Sequence, residues 1–292
     1  MRQFKLVRFP FSSMGPSTPA ALFLVAVLVA ARCFAAPVPE ISFRMVDGFI
    51  AIEGHLEHRP EKLTFLLDSG ASVSVLNAQT ARRLGLNTGA PQSIRGVASE
   101  AVAYQLKDVR AKSGAVEYGG ISLATDLSAA DELCTCPVDG LIGAAFLRDR
   151  VVEIDFATQR LRILTVASPR AGEMRIPLKL QNDVICAAVG VNGSRPRWAR
   201  LDTGCNEPLH WVVPRIGVNR DVLRDSIGFV SQPDDLAFVS VSLGSRTFYH
   251  TEAVLHGRHL FVGESGLLGT GLLSRFSRVT IDWPKRVLYL RE

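Results

Sequence analysis

The sequence predicts an all-β protein made of two similar halves, two copies of one fold. Three observations carry this prediction. Short runs rich in Val, Ile, Leu and Phe, such as 41–45, 49–54, 63–67, 151–156, 161–165 and 184–191, alternate with Gly, Pro, Asn and Asp. Helical periodicity is scarce, with short helices expected only at 78–84 and 145–150. Three motifs of the first half return in the same order in the second.

Residues 1–36 stand apart from the fold. They carry Arg2, Lys5, Arg8 and Arg32 and no acid, then an unbroken apolar run at 20–31, then small residues before Pro37. That order describes a cleaved export signal, and a secreted or periplasmic protein follows from it. The alternative is an uncleaved N-terminal membrane anchor, but the run is shorter than the ~20 residues a bilayer span needs. Arg32 before Cys33 argues against a lipoprotein signal.

The rest, 37–292, has ordinary composition. The chain of 292 residues is 47% hydrophobic and 21% charged, which excludes a disordered, collagenous or extended coiled-coil protein. Of the formal net charge of +5, four units belong to 1–36, leaving +1 for the remainder. Neither nucleic acid nor an anionic membrane surface is therefore expected as a partner.

The repeat sets the domain boundaries. LTFLLDSGAS (63–72) matches RWARLDTGCN (197–206), DGLIGAAFL (139–147) matches SGLLGTGLL (265–273), and RVVEIDF (150–156) matches SRVTIDW (277–283). Asp202 lies 134 positions after Asp68, Gly269 lies 126 after Gly143, and Asp282 lies 127 after Asp155. Nearly constant offsets indicate two copies of one unit. With a linker at 167–172, the lobes run 37–167 and 168–292.

The chemistry resides in the first motif. In each half an apolar strand delivers an aspartate to a tight turn, where a following Gly lets the backbone bend and a Ser or Thr hydroxyl can tie the turn down. One D-[ST]-G means little. Two, each behind an apolar run and each followed at similar distance by Gly-apolar-apolar-Gly, mean much more.

On these residues (Asp68-Ser69-Gly70-Ala71, Asp202-Thr203-Gly204, Leu141-Ile142-Gly143 and Leu267-Leu268-Gly269) the sequence resembles the aspartic peptidases of the pepsin and retropepsin superfamily, over essentially all of 37–292. Its short lobes look more like two fused retropepsin subunits than like pepsin. The resemblance implies a bilobal aspartic protease fold with a cleft between the lobes. Asp68 and Asp202 would form the catalytic pair, braced by Ser69, Gly70, Thr203 and Gly204. It also implies a polypeptide substrate, a monomer that acts as a pseudo-dimer, and neither cofactor nor metal. A flap is implied at 92–101, with Ile94 and with Gly96 near its tip. Its second-lobe counterpart falls at about 226–232, with Gly228. A catalytically silent relative that only binds peptides is the rival reading, and a half-chain that dimerises after processing near 167–172 is a third.

Cys205 and Asn206 depart from the family pattern and put full activity in question. Cys205 stands open as an oxidisable thiol or as half of a bridge with Cys186. Cys134 and Cys136 are expected to be too close for a relaxed bridge with each other, and free thiols or a single bridge among the four mature cysteines remain open. Asp155 and Asp282 read as turn-capping residues. His256 and His259, with His250, lack H-E-x-x-H spacing and are expected in a surface loop. The serine-hydrolase-like Gly263-Glu264-Ser265 lacks its final Gly.

Overall fold

Strands Leu63–Leu67 and Arg197–Asp202 each end on one of the two repeated aspartate turns, and each has the same neighbours. Leu63–Leu67 runs parallel to Gly140–Ile142, which runs antiparallel to Val75–Asn77, which in turn runs parallel to Val116–Thr125. In the second half Arg197–Asp202 runs parallel to Gly266–Gly269, with Leu209–Val212 and Arg246–His256 in the equivalent places. The Gly-ended apolar motif thus lies beside the strand that carries each Asp turn. The crossing strands are covered on both faces, which explains their continuous apolar runs in place of alternation.

The computed structural model describes residues 38–95, 100–213 and 235–292. These form one compact unit that is nearly all β. The strands fall into an eight-stranded sheet, wholly from the first half, and a twelve-stranded sheet that spans both halves. The join is made by the closing hairpins of the repeat. Val151–Asp155 pairs antiparallel with Arg278–Asp282, and the register sets Val151 opposite Asp282, Glu153 opposite Thr280, and Asp155 opposite Arg278. Since Thr280 is itself the repeat equivalent of Glu153, the pseudo-twofold axis passes through that central pair. One hydrophobic cluster runs through both halves, from Phe65 and Phe146 through Val152 and Ile281 to Leu201 and Leu268.

Asp155 and Asp282 do cap turns. Asp155 Oδ1 accepts from the Thr158 amide at 2.9 Å, and Asp282 Oδ1 accepts from the Lys285 amide at 3.1 Å. Asp155 also takes hydrogen bonds from Arg278 at 2.7 Å and Arg162 at 3.2 Å, so it clamps the inter-half hairpins together. Burial alone would raise its pKa, but these donors together hold it at about 2. A carboxylate lowered from 3.8 contributes stability above that value and loses it as pH falls towards 2. Asp155→Asn is therefore expected to cost about 2 kcal/mol at neutral pH. That difference shrinks towards zero near pH 2, and denaturant midpoints of both proteins across this range check it. A pH-independent difference would remove the ion pairs as its cause.

Several elements differ from expectation. The helix expected at 78–84 spans Ala78–Arg83, with Asn77 as its N-cap accepting from the Gln79 amide. The one expected at 145–150 is a single 3-10 turn, Ala144–Phe146. A helix at Ser128–Leu133 has no sequence counterpart in the prediction. Cys134 and Cys136 form a disulfide, against expectation. Cys134 is extended, which turns the side chains of residues two apart to one side. The chain then bends enough to bring their Cα atoms to 5.1 Å, within the span a bridge accepts. Asp47 braces the bend by accepting from both the amide and the hydroxyl of Thr135 at 2.8 Å. Cys186 and Cys205 are buried free thiols, so no bridge joins them. Among the described residues, no helix is long and apolar enough to cross a membrane.

Candidate active site

Each apolar strand carries its aspartate into a turn, and the two turns lock together. The Ser69 amide donates to Thr203 Oγ1 at 2.9 Å, and the Thr203 amide donates to Ser69 Oγ at 3.0 Å. The hydroxyls complete the exchange. Ser69 donates to the Leu201 carbonyl at 2.6 Å and Thr203 to the Leu67 carbonyl at 2.7 Å. Each bond has its mirror image in the other half. Both hydroxyl residues are fully buried, so nothing else competes for these groups.

Glycine follows for a steric reason. A Cβ on Gly70 would overlap the carboxyl of Asp202, and one on Gly204 would overlap that of Asp68. Each turn therefore receives the opposite carboxyl where a side chain would otherwise sit, which brings Asp68 and Asp202 side by side. Asp68 Oδ1 accepts from the amides of Gly70 at 2.9 Å and Ala71 at 3.0 Å, while Asp202 Oδ1 accepts from the Gly204 amide at 3.0 Å.

The electrostatics follow from this closeness. Burial raises the pKa of Asp68, against the pull of the Ala71 and Gly70 amides and the Arg200 charge. Burial and then the Asp68 charge push Asp202 up, to about 8, against the opposing pull of Arg200 and the Gly204 amide. Two carboxyls in one poorly solvated place cannot both ionise readily.

Arg200 was not legible as part of the site. It sits two residues before Asp202, between Ala199 and Leu201, and is buried. Its guanidinium grips Glu264 through two bonds of 2.7 and 2.8 Å and donates a third, at 2.7 Å, to the carbonyl of Gly70. A side chain of the second half thus tethers the aspartate turn of the first. Glu264 belongs to the stretch that looked like a hydrolase elbow, and its role is this ion pair. The one available signal was a charged residue at a strand position whose neighbours are apolar.

A groove of about 560 Å³ opens beside the first turn, lined by Gly70, Ala71, Val73, Ile94, Arg200 and Phe261 among others. Its wall at Ile94 belongs to the hairpin of Thr88–Arg95 and Glu100–Ser113, in which Ile94 pairs with Ala101. Gly96 and Gly228, the other two flap residues expected, lie outside the described residues, as do 1–37. Of the two departures from the family pattern, Asn206 donates to the Asp47 carbonyl at 3.1 Å and so ties the second turn to the first half. Cys205 is buried, and its thiol lies 3.4 Å from Glu207. His256 is not in a surface loop. It ends strand Arg246–His256, buried and stacked on His210.

Comparison with protein families matches residues 52–149 to the family described as "gag-polyprotein putative aspartyl protease". The matched stretch holds the first aspartate turn, its crossing motif and the Ile94 hairpin. That stretch is therefore similar to a retropepsin-like aspartyl protease, and the match supports a protease-like function. No curated protein sequence matches the chain.

Proposed function

We propose that the protein is an exported aspartic endopeptidase that hydrolyses peptide bonds with the Asp68–Asp202 pair and one water molecule. The observation that carries this reading is the mirror-image lock of the two turns, which holds both carboxyls together beside a groove. Asp68 and Asp202 cap their turns as Asp155 does, but where Asp155 faces Arg278 and Arg162, each of this pair also faces a like charge.

The two members are not equivalent. Asp68 receives two amide hydrogen bonds and Asp202 one, so the carboxylate form is better supported at Asp68. In the resting pair the proton resides on Asp202. Asp68 then takes a proton from water as the water oxygen attacks the scissile carbonyl, and Asp202 gives its proton to the carbonyl oxygen. The resulting gem-diol collapses. Its C–N bond breaks, a hydroxyl proton returns to Asp202, and Asp68 passes its proton to the departing amine. No covalent intermediate is formed, and both carboxyls regain their starting states.

The polypeptide lies in the groove at Gly70 and Ala71, and the 92–101 hairpin closes over it as a flap. The lobes 37–167 and 168–292 act as a pseudo-dimer within a single chain. The signal at 1–36 sends the protein to the periplasm or beyond the cell. The test is turnover of an acid-unfolded protein by the purified chain, with cut sites mapped by mass spectrometry. Cuts within chains, abolished by the transition-state analogue pepstatin, are expected. Pepstatin-insensitive cleavage would remove the aspartate pair as its cause, and tight peptide binding without turnover would displace this reading in favour of a peptide-binding relative.

A further inference from the structure

We propose that Cys205, Glu207 and His210 bind a single divalent cation of the zinc class in the loop that follows the Asp202 turn. The three donor atoms all lie within 4.8 Å of one another. Cys205 Sγ is 3.4 Å from Glu207 Oε2, and His210 Nε2 is 3.5 Å from the same oxygen. Zinc with Zn–S near 2.3 Å and Zn–N or Zn–O near 2.0–2.1 Å sets tetrahedral donors about 3.3–3.6 Å apart. The two measured edges are those of such a tetrahedron, and its fourth corner is left to water or another ligand. A thiolate, an imidazole and one carboxylate suit zinc and its neighbours in the first transition row. They do not suit magnesium or calcium, which take oxygen.

The backbone places these donors without help from an ion. The Cys205 carbonyl accepts from both the amide and the hydroxyl of Thr270, at 2.8 and 2.7 Å, and the Pro208 carbonyl accepts from the Gly269 amide at 3.2 Å. Gly269 and Gly271 lack side chains where a Cβ would collide with the carbonyls of Glu207 and Asn206. His210 is aimed from behind. Its Nδ1 lies 2.9 Å from Nε2 of His256, whose ring stacks on it at 5.1 Å, which leaves Nε2 of His210 facing Cys205 and Glu207. A ligating histidine steadied through its other nitrogen is the usual arrangement at a metal.

The first half supplies an internal control. Ala71 and Val73 stand where Cys205 and Glu207 do in the repeat, and the strand pairing puts Val75 in the place of His210. Val75 lies opposite Leu141 and alongside Leu123, as His210 lies opposite Leu267, the repeat counterpart of Leu141, and alongside Val254. The same local fold is therefore made from three apolar side chains, and Val75 is buried there. Replacing them with a thiol, a carboxylate and an imidazole in a poorly solvated place is unfavourable unless a ligand offsets it. On binding, the thiol proton passes to solvent and the sulfur lone pair forms the metal bond.

The experiment uses tag-free, chelator-stripped full-length chain titrated with Zn2+ by calorimetry and with Co2+ by absorption. One ion per chain is expected, with the intense visible bands of four-coordinate cobalt and a thiolate-to-cobalt charge-transfer band. Cys205→Ala is expected to abolish the charge-transfer band and weaken Zn2+ binding at least 100-fold. His256→Phe, which keeps the stacking and removes the nitrogen, should weaken it about 10–100-fold. His259→Gln should change nothing. The variant that restores the first half's residues, Cys205→Ala with Glu207→Val and His210→Val, is expected to fold and bind no ion. Should His210→Val prevent folding, Cys205→Ala alone decides, its near-ultraviolet circular dichroism serving as the folding check. Fewer than one ion per chain, or unchanged affinity in a folded Cys205→Ala variant, would overturn the site.

Discussion

Asp68→Asn and Asp202→Asn are each expected to lower peptide hydrolysis by about 1,000-fold or more without unfolding the protein. The size follows from losing a group that moves a proton in the transition state, worth ~10²–10⁴ for a single acid or base, and more where the remaining partner also loses its task. The turns should survive, because the Ser69 and Thr203 lock contains no carboxyl atom. Stability should even rise for Asp202→Asn. Asp202 is raised to about 8 in the folded protein, by burial and then by Asp68, against 3.8 unfolded. Between those values the folded state binds more protons than the unfolded one, so this group's contribution is present below 3.8 and is lost as pH rises through 8. An amide carries no such penalty. At pH 8 the variant should exceed the wild type by about 1–3 kcal/mol, and at pH 4 the two should nearly coincide. Activity follows the same titration. It should describe a bell, whose acid limb reports the pair's first ionisation and whose alkaline limb reports loss of the shared proton. Retained turnover in either variant would take that residue out of the mechanism.

The sequence showed the aspartate pair because the relevant information is repeated in it. The D-[ST]-G turns, the Gly-ended strands and the closing hairpins each occur twice in the same order, at offsets of 134, 126 and 127. The same repetition made Asp155 and Asp282 readable as turn caps. What stayed hidden depends on contacts across the chain. Arg200 looks like a stray charge on a strand, and its partner Glu264 is 64 residues away in a stretch with a different apparent meaning. The Cys134–Cys136 bridge depends on a local bend that residue identity does not reveal. His210 sits in an apolar strand, and only the parallel pairing with Arg246–His256 brings His256 to it. The split of the expected strand at 41–45 into Glu40–Ser42 and Arg44–Val46 has a similar cause. The first piece pairs with Arg160–Leu164 and the second with Phe49–Leu56, so one apolar run serves two sheets.

Arg200 offers the sharpest separation of stability from positioning. Its side chain and that of Glu264 are 7% and 1% exposed, so the two charges face almost no water. The guanidinium also lies over the ring of Phe261, 3.3 Å from its centroid, which closes the remaining approach. Arg200→Met leaves Glu264 buried without its partner and is expected to cost about 3–5 kcal/mol. Glu264→Leu strands Arg200 in the same way. The double variant, Arg200→Met with Glu264→Leu, removes both charges together and should recover most of that loss, since a buried pair is seldom worth more than apolar packing of similar volume. It does not recover the bond to the Gly70 carbonyl. Because that bond holds the first aspartate turn from the second half, turnover in the double variant should stay depressed about 10-fold or more, even as its denaturant midpoint returns towards the wild type. Joint recovery of stability and turnover would show that Arg200 neutralises Glu264 and does nothing for the turn. A double variant as unstable as either single would mean that shape, and not charge, governs this part of the core.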